Sequence, residues 1–146
     1  MSSGASWLPA DVPDRTRLVT MPFGRVFVVD VGPAQGVKSV APPLVLLHGL
    51  FVTHYAFHRL IPRLATERRV IALDLPGSGD SDHPNVEEAD DYSFDWLAEA
   101  VVETTGALDV GHFDLVGHDY GGAVSVALAA AHPQRVRRLL LAAPLA

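Results

Sequence analysis

The stretch Phe113-Asp114-Leu115-Val116-Gly117-His118-Asp119-Tyr120-Gly121-Gly122-Ala123 constrains this chain more than any other. It reads as an apolar strand, a turn crowded with glycine and the start of an alanine-rich helix. The turn has the form Gly-x-Asp-x-Gly. So sharp a reversal from strand to helix strains the backbone at the tip and lifts the tip side chain clear of the sheet. The two backbones meet closely there, and Gly117 and Gly121 supply flanks without a Cβ. Asp119 is the side chain that such a turn would hold out. The plainer alternative makes Asp119 a helix N-cap, accepting a hydrogen bond from a free backbone N–H.

The rest of the chain alternates strands and helices around that turn. Residues 1–15 are rich in Ser, Pro and Ala and are expected to form a flexible segment on the surface. Thr16 to Met21 and Arg25 to Val31 flank Pro22-Phe23-Gly24 and predict an antiparallel hairpin. Leu44-Val45-Leu46-Leu47 is a wholly apolar run, as in a strand buried on both faces of a parallel sheet. Phe57, Leu60, Ile61 and Leu64 lie at helical spacing and predict a helix from about Tyr55 to Ala65, which Pro62 kinks or ends. Arg69 to Leu75 is the next buried strand, followed by the turn-rich loop Pro76-Gly77-Ser78-Gly79-Asp80-Ser81. Asn85 to Asp91 is acidic and reads as solvated. Ser93 suits the N-cap of a helix from Phe94 to about Leu108. A strand over 112–117, a helix over 121–131 and a strand over 136–142 complete the order β-β-β-α-β-α-β-α-β. That order predicts a parallel sheet with helices on both faces. His48, the segment from Asp74 to Ser81, and Asp119 then all fall at carboxyl ends of strands, where such sheets bind ligands.

Composition removes several classes of function. A chain of 146 residues makes one domain with a sizeable core. The formal charge of −6 argues against nucleic acid or an anionic membrane as a partner. Without cysteine there is no disulfide framework, thiolate chemistry or cysteine-based zinc site. Met1 to Arg15 lacks the pattern of a secretory signal, and no apolar run has the length of a membrane span, so the expected location is the cytoplasm. His54 and His58 are spaced i, i+4 but have no third ligand, so neither a metal nor another cofactor is expected. The Gly77-Ser78-Gly79 loop lacks the Lys-Ser/Thr of a phosphate-binding loop and reads as a wall of the site.

His48-Gly49, the loop Asp74-Leu75-Pro76-Gly77-Ser78-Gly79-Asp80-Ser81 and the Asp119 elbow together resemble the α/β-hydrolase superfamily. They resemble in particular its Asp-nucleophile branch, the haloalkane dehalogenases and epoxide hydrolases. The resemblance runs from about Thr16 to Ala146. It implies an α/β fold with a mostly parallel sheet, and residues 16–146 as the N-terminal part of a core domain, truncated before the cap and the last strands. It implies Asp119 as nucleophile, with the backbone N–H groups of Tyr120 and Leu50 as oxyanion donors. It places His48, Gly49, Phe51 and His118 around the substrate. His48 is expected to support its loop by hydrogen bonding, and His118 to pack beside the elbow.

The side chain at the tip selects the chemistry. A carboxylate displaces a halide or an epoxide oxygen from a saturated carbon and leaves an alkyl ester, which water opens at the carbonyl. A serine making the same displacement would leave an ether that resists water. Two features depart from the family. Tyr120 stands where the dehalogenases usually carry Trp, and Leu50 where many carry Asn. Phe51 stands where epoxide hydrolases usually carry Pro. The family's base histidine and its acid partner follow the cap, whereas this chain stops at Ala146. The chain alone is thus expected to be a poor turnover catalyst. Val136 to Leu141 is expected to form an exposed edge strand that pairs with a second copy or a complementary chain. The expected function is a hydrolase, or its nucleophile-bearing half, acting on a small-molecule epoxide or alkyl halide. The alternatives are a non-catalytic binding or interaction module of the same fold, and an ester hydrolase.

Overall fold

A computed structural model of the chain describes residues 7–85 and 92–145. The acidic stretch expected to be solvated lies outside the described residues, apart from Asn85. Strands β1 (Arg17–Met21) and β2 (Gly24–Val31) form the expected hairpin. The parallel strands are β3 (Leu44–Leu47), β4 (Val70–Leu73), β5 (Phe113–His118) and β6 (Val136–Ala142). They join the hairpin in one six-stranded sheet of order β1-β2-β4-β3-β5-β6, in which β2 meets β4 antiparallel. The chain runs from β3 to β4 on one side, then crosses back to lay β5 on the other. That reversal opens a crevice at the carboxyl ends of β3 and β5, where open α/β sheets bind ligands.

Alternation along the strands divides the core. Val45, Leu47, Ile71, Leu73 and Leu115 face one layer, where they meet Leu97 and Val101 of α2 (Phe94–Ala107) and Val124 and Leu128 of α3 (Tyr120–Ala131). Leu44, Leu46, Val70 and Ala72 face the other layer and meet Phe57, Ile61 and Ala65. Each strand has a period of two, so both of its apolar sets are needed to cover both faces. Ser93 caps α2, its side chain accepting the Trp96 N–H at 3.1 Å.

Two expectations fail for identifiable reasons. The helix predicted over 55–65 is instead a 3₁₀ turn, His54–Phe57, followed by the single-turn α1, Ile61–Leu64. Pro62 has no N–H to bond backwards, and inside a helix its ring strikes the carbonyl four residues earlier. Pro is accommodated only in a first turn, and there the structure places it. Residues 7–14 are not loose. Val12 is buried, the Gln35 N–H donates to the Asp11 carbonyl at 2.9 Å, and Asp14 bridges to Val31.

Charges gather at the end of the sheet opposite the crevice. Asp30, fully buried, accepts from Arg15, Arg17 and Arg69. Asp114 accepts from Arg68 and Arg137. Both carboxyls are held below the usual range: burial opposes ionisation at Asp30, but Arg69 and Arg15 outweigh it, while at Asp114 the Arg137 hydrogen bond dominates.

Candidate active site

The elbow is set by the close meeting of β5, α3 and the loop after β3. A Cβ on Gly121 would fall on the carbonyl oxygens of Leu47 and His48. A Cβ on Gly49 would lie 2.9 Å from Asp119 Cβ and Oδ2. Glycine at both places lets three backbone segments converge on one side chain. Asp119 at the tip has φ 53° and ψ −118°, outside the basins a non-glycine residue prefers. Three backbone bonds hold it there. Its N–H donates to Ala142 at 3.2 Å, and its carbonyl accepts from Gly122 at 2.9 Å and Leu145 at 3.0 Å.

Asp119 stands at the N-cap position of α3, but its side chain makes no capping bond there. It turns to the loop after β3, where Oδ2 accepts the Leu50 N–H at 2.8 Å. The carboxyl is held below the ordinary Asp range, first by the Leu50 N–H, then by the Tyr120 N–H, with a smaller contribution from His118. The group is ionised at neutral pH, with one oxygen committed to Leu50 and the other, Oδ1, uncommitted to that donor. Leu50 and Tyr120 thus each present a backbone N–H to the carboxyl.

His48 is buried and fully engaged. The Leu75 N–H donates to its Nε2 at 2.9 Å, so Nε2 carries the lone pair and Nδ1 the proton, which it gives to the Gly49 carbonyl at 2.8 Å. Burial lowers its pKa and keeps it neutral. His48 ties the loop after β3 to the loop after β4. Both ring nitrogens are used, which leaves none for proton transfer.

Beside the elbow lies a cavity of about 220 Å³, with Leu50, Leu75, Pro76, Ser78, Tyr92 and Tyr120 among its walls, together with His48 and Gly49. Phe51 and His118 are not among them. Phe51 is 96% exposed, at φ 60°. His118 lies against Gly49, beside the elbow. The Tyr120 hydroxyl donates to the Tyr92 carbonyl at 3.2 Å, and its ring meets Phe94 edge-on at 5.1 Å. That hydroxyl proton is spent within the protein.

The sequence reading did not single out Asp74 and His54 as partners. The Asp74 carboxylate is fully buried and accepts from the His54 backbone N–H and ring Nδ1, both at 2.8 Å, and from the Asp80 N–H at 3.0 Å. Burial alone would raise its pKa, but the bonds from His54 and Asp80 hold it below the usual range. An Asp ending a buried strand before a glycine-rich loop was the available signal, because a buried carboxylate must find donors. His58 instead bonds the Tyr55 carbonyl and stacks on the Tyr55 ring, so the i, i+4 pair does not converge. Among the described residues no three His, Cys, Asp or Glu side chains are grouped to hold a metal ion.

The sequence profile of the α/β hydrolase fold matches residues 42–146. The chain belongs to that family. It is 45% identical over 102 residues to the 2-hydroxymuconate semialdehyde hydrolase of Pseudomonas sp. strain CF600, covering 68% of this chain and 35% of that one. It is 32% identical over 100 residues to epoxide hydrolase 4 of Mus musculus, covering 68% of this chain and 27% of that one. A candidate epoxide hydrolase of known structure from Pseudomonas aeruginosa superimposes with a TM-score of 0.76 at 38% identity, over 88% of this chain and 40% of that one. The chain thus spans between about a quarter and two fifths of the length of these relatives. The relatives' names cover more than one substrate class, so similarity supports a hydrolase fold and leaves the bond cleaved to the site itself.

Proposed function

We propose that this chain carries the nucleophile of a hydrolase that attacks a saturated carbon, of an epoxide or an alkyl halide, through an ester on Asp119. The observation that carries the reading is the ionised Asp119 carboxylate at the elbow tip, with Oδ2 on the Leu50 N–H. In the first step Oδ1 forms a bond to the carbon, and the carbon–oxygen or carbon–halogen bond breaks. The electron pair leaves on the epoxide oxygen, which takes a proton from solvent, or on the halide. Oδ2 becomes the ester carbonyl oxygen and already lies at its donor. When water adds to that carbonyl, the developing negative charge falls on Oδ2, where each such donor typically supplies about 3 kcal/mol of barrier lowering. His48 has no free ring nitrogen to activate that water. The chain by itself is expected to stop at the ester.

Three groups of reagent test the reading: terminal epoxides, primary alkyl bromides and short-chain nitrophenyl esters. An intact-mass increase with epoxides or bromides, and none with the esters, is expected. Turnover of the esters alone would replace this reading with ester hydrolysis. A folded chain inert to all three would favour a non-catalytic module. As part of the same reading we propose that β6, with its outer edge unpaired among the described residues, takes up a further strand from a second copy or a complementary chain.

A further inference from the structure

We propose that Asp74 and His54 are positioning residues, which together set the place of the Leu50 N–H donor and hence the orientation of the Asp119 carboxylate. The span Leu50–Val52 is poorly anchored by itself. Its three side chains are exposed, by 47%, 96% and 40% in order. Among the described residues, its one recorded hydrogen bond is that from Leu50 to Asp119. Its position is therefore dictated by its two ends.

At the first end, Gly49 lies against Asp119 and the Gly49 carbonyl accepts a hydrogen bond from His48 Nδ1–H. At the second end, His54 is fixed by Asp74 through both its backbone and its ring. The Asp74 carboxylate is held in turn. It is fully buried and accepts the Asp80 N–H, while the Asp74 carbonyl accepts the Ser81 hydroxyl at 2.6 Å. The Ser81 hydroxyl oxygen accepts the Phe27 N–H at 2.8 Å, and the Asp74 N–H donates to the Phe27 carbonyl at 2.9 Å. The second anchor thus reaches back into β2. The ring of Phe27 lies 5.0 Å from that of His54 and covers it. Charge-assisted bonds of this kind are stronger and shorter than neutral ones, which suits them to fix a loop end. Because one carboxylate holds the loops after both β3 and β4, Leu50 and the Pro76–Ser78 wall of the cavity keep a fixed relation.

Hydrogen exchange and alkylation test the inference, and its kinetic arm rests on Asp119 being the nucleophile. His54→Leu keeps the bulk and removes the ring donor. His54→Asn places an amide N–H near the lost Nδ1–H. Asp74→Asn removes the charge. Amide exchange resolved by residue, and the rate of Asp119 esterification by 1,2-epoxyhexane, are read on the full chain. In His54→Leu and Asp74→Asn, Leu50 exchange should rise about tenfold or more and esterification should slow by a similar factor, the scale of one charge-assisted hydrogen bond. Exchange at Leu115 in β5 should not change, and His54→Asn should recover both readouts to within about threefold. Unchanged Leu50 exchange in His54→Leu would overturn the inference. So would an equal rise at Leu115, or an Asn variant no better than Leu. If Asp74→Asn does not fold, the His54 pair decides alone. If the unaltered chain is not esterified, the nucleophile reading fails while the exchange comparison still decides this one.

Discussion

Strands β3 and β6 each carry a run of apolar residues but differ in their surroundings. All four residues of β3 are buried, whereas Arg137 to Leu141 of β6 are exposed, Leu140 by 57%. The apolar run Leu139-Leu140-Leu141 would suit the centre of a sheet as well as Leu44 to Leu47 does. The difference lies in what covers them. Between them runs β5, bonded to β3 on one side and β6 on the other, with Asp119 at its end. The Leu50 N–H reaches the Asp119 carboxylate from the buried side, while on the open side the Asp119 N–H donates to the Ala142 carbonyl and the Asp119 carbonyl accepts the Leu145 N–H. Asp119 sits on the seam between the buried strand β3 and the exposed strand β6.

Paired truncations give the largest expected contrast. Leu46→Ala, fully buried in β3, should cost about 2–5 kcal/mol in urea unfolding, and Leu140→Ala in β6 less than about 0.5. Comparable losses at both sites would mean that β6 is covered in solution. Gly121→Ala should come next. Its methyl would strike the Leu47 and His48 carbonyls, costing about 1–3 kcal/mol and shifting the elbow against its donor. If Asp119 reacts at the unaltered rate in that variant, the close approach matters less than the geometry suggests.

The effect of acid is smaller and sharpens the comparison at the seam itself. The Asp119 carboxyl is depressed in the folded chain, so its ionised form is kept above the ordinary Asp value near 4 and is lost as pH falls through the folded value. Esterification by an epoxide should therefore stay level from neutral pH to about pH 4 and fall only below that. A fall beginning near pH 6 would assign the rate to a different group. The smallest expected effect is Leu140→Lys, which should leave stability within about 0.5 kcal/mol and shift sedimentation towards monomer. A chain already monomeric at high concentration would remove the proposal that β6 pairs.

Much of this molecule was legible because local patterns and surroundings agree. The apolar run Leu44 to Leu47 marked β3, the apolar stretch from Arg69 to Leu75 marked β4, Ser93 marked the start of α2, and Gly-x-Asp-x-Gly marked the elbow. Where a feature depends on residues far apart in sequence, the pattern was silent. Nothing in the spacing joins His54 to Asp74, twenty residues on. The packing of Val12 depends on a sheet face that forms only on folding. The break at Pro62 was visible in the residue, but its position in a new first turn was not. Nothing in the spacing joins the Tyr120 hydroxyl to the Tyr92 carbonyl either, to which it donates.

The most direct test of the account is to locate the adduct. The chain is incubated with 1,2-epoxyhexane, digested, and sequenced by tandem mass spectrometry beside Asp119→Asn. The account predicts one added epoxide on the peptide bearing Asp119, absent from the variant. An adduct on His54 or His118 instead, or one that persists undiminished in Asp119→Asn, would contradict it.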